Sequence, residues 1–324
     1  MLLGTPEEKS YNIYPSEYPW AREMYEQSLS NSWFPKEIPL QEDLQDLQTM
    51  TAEEVEAVKF IMSFMNPAEL MVNRSIALGI YPYLTSAETH LYLARWMMEE
   101  ANHCMTFEYM LETFPWSRDE LYGKHLVTPS MQNKENFVQG FTERMTEQSL
   151  DIATDDGKRD FIRNLIVTNV VTEGIWFYSG FMVMLSFRQR NKLRNFGSLL
   201  NWIVRDESLH LKFGMTLALT VLEENSDIIT EEFATEIRDL IVQGVEIEME
   251  YNKDLFQNGI LGLNADYVNQ YVQYIADRRL EELGFESHYN VTNPAKWMAT
   301  SNDVYELVNF FESQNTSYEV NTKA

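Results

Sequence analysis

Cysteine occurs once in the 324 residues, at Cys104. One thiol excludes an internal disulfide framework and a cysteine-ligated metal cluster within a single chain. Basic residues are scarce as well. Twenty-five Lys and Arg stand against 50 Asp and Glu, and a formal net charge of -25 opposes approach to nucleic acid and to anionic membranes. No apolar run is long enough to span a bilayer: the longest, Ile175 to Phe187, is interrupted by Tyr178, Ser179 and Gly180. The amino terminus, MLLGTPEEKSYNIYP, lacks the basic start, apolar stretch and small-residue cleavage site of an export signal, so a cytoplasmic location is expected.

Glycine and proline, 13 and 10 in all, are sparse between residues 51 and 282, where apolar residues recur at three and four. That period predicts long helices, and with 44% hydrophobic residues the chain can bury a sizeable all-α core. Thr51 and Glu54 form a capping-box pattern opening a helix, with Pro67 placed at a break or a first turn before AELMVNRSIALGIYPYL. Thr85 and Glu88 repeat the pattern for a helix running to about Phe114, before Pro115. Further helices are expected over about 129–148, 156–187, 190–223, 230–256 and 265–283. No repeat, low-complexity block or linker divides the chain. The expectation is one domain over 1–312 and a polar, flexible tail over 313–324, in which Tyr318 stands out.

What is present is a set of carboxylates and imidazoles. Two of the five histidines sit in the pattern E-x-x-H on expected helices, Glu100 with His103 and Glu207 with His210. Residues three apart share a helix face, so each pair can offer a carboxylate oxygen and an imidazole nitrogen to one point. One such match arises easily by chance. Two further glutamates sharpen it: Glu69 with Val72, Ile76 and Ile80 on its side, and Glu173 in IVTNVVTEGIWFYSGFMVML, where a charge is costly unless paired or metal-bound. Phe177 and Phe181 follow Glu173 at four and eight, as an apolar shell beside the carboxylate.

Four glutamates and two histidines on four helices resemble the donor set of ferritin-like di-iron and di-manganese carboxylate proteins. Oxygen and imidazole donors suit iron or manganese, and this many carboxylates exceed the four ligands of a structural zinc site. The expected fold is an all-α, ferritin-like bundle with additional helices around a dinuclear metal centre.

The order and spacing of these residues resemble the small, radical-generating subunit of class I ribonucleotide reductase. Glu69 precedes Glu100 by 31 residues and Glu207 follows Glu173 by 34, as in that family. SWFP places Trp33 at the family's amino-terminal tryptophan, Trp96 stands one turn before Glu100, and RDESLH sets Asp206 beside Glu207. The resemblance implies a path through His103, Asp206 and Trp33 that carries an electron and a proton toward the partner subunit. NFFESQNTSY is similar to the approach to the family's tail tyrosine, making Tyr318 the relay at the subunit junction, although only six residues follow it. It also implies a homodimer acting with a separate large subunit, which binds the tail and performs the reduction of ribonucleotides. The resemblance leaves room for an accessory flavoprotein during assembly.

One residue departs from most of that family. Four positions after the ligand histidine, where most members carry the radical tyrosine, this chain has Phe107. Phenylalanine has no hydroxyl to lose a proton and an electron together, and Tyr109, six residues from His103, faces elsewhere. The chlamydial-type subclass shares this phenylalanine and the first-ligand glutamate, Glu69 here, and stores its oxidant on a manganese/iron pair. By resemblance the cofactor is Mn/Fe, with Fe/Fe and Mn/Mn as alternatives. Two other readings of Phe107 are an inactive paralogue and a ligand-binding oxidase of the ferritin-like group. Against both stand Trp33, Asp206 and Tyr318, which exporting an oxidant requires and local oxidation does not. Cys104, one residue past His103, is expected to be a buried structural thiol on another face.

Overall fold

The computed structural model describes residues 1–5, 8–260 and 262–300. Tyr318 and the tail over 313–324 therefore lie outside the described residues. Among the described residues the chain is helical and contains no β-sheet, only the isolated bridges Leu3–Leu84 and Ile260–Leu263. Ten α-helices follow in order: α1 (Pro19–Ser30), α2 (Ala52–Ser75), α3 (Ala87–Thr113), α4 (Arg118–Val127), α5 (Pro129–Met145), α6 (Asp155–Leu165), α7 (Tyr178–Gln189), α8 (Arg194–Glu224), α9 (Glu231–Leu255) and α10 (Ala265–Glu282). Two stretches are π-helical, Ile76–Ile80 at the end of α2 and Ile166–Phe177 joining α6 to α7.

The expected capping box at α2 is present: Glu54 N–H donates to Thr51 Oγ1, and Thr51 N–H to the Glu54 carboxylate. Pro67 does not break the helix. It lies inside α2, whose buried face from Ala57 to Val72 holds the rod together across the missing N–H. The cap of α3 is one residue later than expected, because Ser86 accepts from Thr89 N–H while Thr85 turns back to donate to Met1 and Leu2 carbonyls. Helices α1 and α4, of 12 and 10 residues, were not anticipated.

The helix expected from 190 starts at Arg194, after a turn in which Asn191 and Leu193 take left-handed φ of 59° and 50°. Distant residues hold that turn. The buried Asp43 carboxylate accepts from Asn195 and Phe196 N–H, and Asp46 accepts from Leu193 N–H, supplying α8 with the cap its own sequence lacks.

The stretch Asp155–Gln189 forms one continuous helix of 35 residues, long and apolar enough to cross a membrane by composition, yet its apolar window is wholly buried inside the protein. It is a core helix. It packs between α8 and α9, with α2, α5 and α10 also against it. Close approach is permitted by glycines: a Cβ at Gly214 of α8 would come within 2.2 Å of Asn169, and one at Gly244 of α9 within 2.4 Å of Val171.

Candidate dinuclear metal site

Helices α2, α3 and α8 and the π-helical stretch carry the six expected ligands to the centre of the bundle. Glu69, Glu100, His103, Glu173, Glu207 and His210 are all fully buried. Their donor atoms form two groups, each lying within 4.8 Å of one another: Glu69, Glu100, His103 and Glu207, and Glu100, Glu173, Glu207 and His210. Glu100 and Glu207 belong to both. Two adjacent positions with two shared carboxylates are the arrangement a pair of ions needs.

The donors point at each other without satisfying each other. His103 Nδ1 lies 3.1 Å from Glu207 Oε1 and 3.4 Å from Glu69 Oε2, and His210 Nδ1 lies 3.1 Å from Glu100 Oε1 and 3.5 Å from Glu207 Oε2. Both Nδ1 atoms and both oxygens of Glu69 and of Glu207 make no hydrogen bond of good geometry, although such buried groups are almost always bonded. Burial pushes Glu69 and Glu173 well above the ordinary carboxylate range, with the neighbouring glutamates adding to it. Burial alone would lower both histidines, but the surrounding carboxylates outweigh it and hold them well above their usual value. A cluster that must otherwise retain protons in its interior fits divalent cations, which replace those protons and complete the orphaned atoms. Four carboxylates balance two such charges.

Neighbouring side chains fix the donors. Trp96 Nε1–H is shared between Glu100 Oε1 and Glu173 Oε1, 3.0 Å from each, and its ring stacks on His210 at 5.1 Å. Asn169, which the sequence reading missed, donates from Nδ2 to Glu173 Oε2 at 2.8 Å and to the His210 carbonyl at 3.0 Å. Its signal was an amide four residues before a buried glutamate. π-Helical turns recur at functional sites, and here the wider turn carries both Asn169 and Glu173.

The residues of the expected path lie together on one side. Trp33 Nε1–H donates to Asp206 Oδ2 at 2.6 Å, and His103 Nε2 lies 3.4 Å from the same oxygen. Trp33 and His103 rings stack at 6.1 Å, and Trp202 tilts against Trp33 at 5.4 Å. Phe107 is fully buried and edge-on to Phe196. Phe177 and Phe181 are fully buried and edge-on to each other at 6.2 Å. Cys104 is half-buried, less so than expected, and donates to Asn66 Oδ1, away from the donor cluster. Tyr109 likewise faces elsewhere, its hydroxyl accepting from Leu40 N–H.

The fold and the donor set define a class: a ferritin-like helical protein whose core fits a dinuclear metal site. Ribonucleotide reductase, small chain, is the family whose pattern matches residues 10–294. The chain belongs to that family. It is 35% identical to the ribonucleoside-diphosphate reductase subunit beta of Chlamydia pneumoniae, over 95% of this chain and 89% of that one. It is 28% identical to the subunit of the same name from Treponema pallidum, over 93% and 85%. Among solved structures, the ribonucleotide reductase R2 subunit from Clostridium botulinum superposes with a TM-score of 0.81 at 29% identity, covering 88% of each chain. The dimanganese(II)-NrdF of Streptococcus sanguinis shares the fold, with a TM-score of 0.75 at 20% identity over 87% of this chain and 94% of that one.

Proposed function

We propose that this chain is the oxidant-generating subunit of a class I ribonucleotide reductase, working with a large subunit that reduces ribonucleotides, diphosphates as in the names of its relatives. The observation that supports export is the chain from His103 through Asp206 to the Trp33 indole. What supports storage on the metals is Phe107, a fully buried ring without a hydroxyl one turn beyond His103, where the resemblance puts the family's radical tyrosine. Among the described residues no tyrosine hydroxyl hydrogen-bonds to a ligand carboxylate. A bound manganese/iron pair would supply oxygen activation and storage of a one-electron oxidant, the part a phenol at position 107 would play and Phe107 cannot.

The protein's own residues then hold and export that equivalent. Glu69, Glu100, His103 and Glu207 would hold one ion, and Glu100, Glu173, Glu207 and His210 the other, with Phe177 and Phe181 as apolar wall. Trp33 would give up an electron toward the metal-held oxidant by way of Asp206 and His103 while its indole proton passes to Asp206 Oδ2 across the 2.6 Å bond, so no positive charge is left on the indole. Tyr318 passes the equivalent to the large subunit from the tail over 313–324, and residues 1–312 form the single metal-carboxylate domain. The chain acts in the cytoplasm as a homodimer.

The test is the manganese and iron content per chain after aerobic loading with limiting amounts of both, followed by assay with the large subunit. Near-equal contents with turnover support the reading. Two atoms of one metal overturn the mixed pair, and two bound metals without turnover overturn the oxidant-export role. Tyr318→Phe should keep both metals and lose turnover.

A further inference from the structure

Each E-x-x-H motif is preceded by an acid: Glu99 before Glu100 and Asp206 before Glu207. One position along a helix turns a side chain by about 100°, away from the ligand face and toward the neighbouring helix. Both acids accordingly reach across to the opposite histidine. Asp206 of α8 meets His103 of α3, and Glu99 of α3 meets His210 of α8, with Glu99 Oε2 3.0 Å from His210 Nε2. Each is 2% exposed. Beyond that contact the two sides differ. Asp206 continues to the Trp33 indole, whereas Glu99 Oε1 accepts from Arg95 Nε at 2.9 Å, and the Arg95 guanidinium donates onward to the Ser28 carbonyl at 3.1 Å. An indole can be oxidised and a guanidinium cannot, so the Glu99 side ends in an anchor.

We infer that Glu99 is the positioning residue of the second metal site: its carboxylate, tied down by Arg95, holds the His210 ring with Nδ1 facing Glu100, Glu173 and Glu207. The Nδ1 atom has no other fixed partner, since it makes no hydrogen bond of good geometry. The ring is otherwise met by the flat face of Trp96 and, tilted at 5.9 Å, by the His103 ring. Stacking of this kind limits tilt but does not distinguish the ring from one flipped over about Cβ–Cγ, which would put Cδ2 in place of Nδ1. Glu99 removes that ambiguity. An outer partner of this kind fixes the tautomer, with Nε2 protonated and Nδ1 free for a metal, and is commonly worth 10–100-fold in affinity.

The inference rests on the dinuclear reading of the site, and anaerobic titration of the metal-free full chain with manganese(II) separates the two. Wild type should bind two ions; binding of fewer would fault the dinuclear reading itself. Glu99→Ala should keep one ion at wild-type affinity and weaken the other by roughly 10–100-fold. Glu99→Gln should restore part of that affinity, because its amide oxygen can accept from Nε2–H while its NH2 then faces Arg95 and gives up the tie. Glu99→Asp, a carboxylate withdrawn by one methylene, should behave as alanine does and serves if the alanine variant does not fold. Two ions at wild-type affinity in Glu99→Ala, or in Glu99→Asp where it stands in, would overturn the assignment. So would equal weakening of both ions, or an affinity in Glu99→Gln no better than in Glu99→Ala.

Discussion

Replacing Gly214 by alanine should weaken the metal site through a neighbour that touches no metal. The added methyl would lie 2.2 Å from Cγ and Oδ1 of Asn169 and 2.7 Å from Nδ2. Apolar contacts settle at about 3.5–4.0 Å, so the amide must retreat by roughly 1 Å or more. It cannot do so and still hold Glu173 Oε2 at 2.8 Å. Overpacking of this kind costs about 1–3 kcal/mol, which calorimetry of the metal-free protein would read as a fall of several degrees in melting temperature. Loss of the amide bond should separately reduce manganese(II) affinity at the Glu173 position by roughly 10–100-fold. Asn169→Ala placed on top of Gly214→Ala separates the two effects. It makes room for the methyl and should recover the melting temperature, but it leaves Glu173 Oε2 without its Asn169 donor and should not recover affinity. An unchanged melting temperature and two ions at wild-type affinity in Gly214→Ala would refute the reasoning.

Glu173→Ala should lose metal from at least one position; unchanged occupancy of both would remove Glu173 from the ligands. Lys134 is buried against Glu248 in a cage of Phe64, Trp176 and Tyr251 rings, so Lys134→Met should destabilise the fold by about 3–5 kcal/mol in urea unfolding, and Lys134→Met/Glu248→Leu should recover most of it. Burial lowers the Lys134 ammonium from 10.5 to about 8. Between those values the unfolded chain binds the extra proton, so wild type should gain stability relative to Lys134→Met as pH rises from 8 toward 10.5, and a gap that narrows would contradict this. Burial also pushes the Cys104 thiol up to about 11, which leaves a thiolate fraction on the order of one in a thousand at pH 8. Iodoacetamide should label the native protein roughly a hundredfold or more slower than the unfolded chain, and comparable rates would count against the assigned environment.

The buried donor cluster was legible because its chemistry is local: Glu100 with His103 and Glu207 with His210 declare themselves by spacing within one helix, and Glu173 by the apolar company it keeps. The capping box of α2 was legible for the same reason. The start of α8 was not, because its cap comes from Asp43, some 150 residues earlier, and the turn before it requires a left-handed Leu193 that no propensity suggests. The continuity of α2 through Pro67 is decided by a buried face that outweighs one missing N–H. The π-helical stretch was hidden as well. Glu173, Phe177 and Phe181 look like one stripe at α-helical period, whereas the wide turns and the close glycines of α8 and α9 depend on neighbours that the segment itself does not encode. Glu99 looked like one more acid in an acidic chain until its partner on the opposite helix was visible.

The long core helix also bears on how the chain is made. Asp155–Gln189 leaves the ribosome before α8, α9 and α10, which cover much of it. At roughly 5–20 residues per second, the 93 residues from Gln189 to Glu282 take about 5–19 s to synthesise. For that interval a segment with the composition of a membrane span waits without its cover. Glu173 sits near its midpoint, where an acidic side chain costs about 3 kcal/mol to place in a bilayer. The carboxylate proposed to hold metal in the finished protein therefore also biases the nascent segment toward water and toward its own helices.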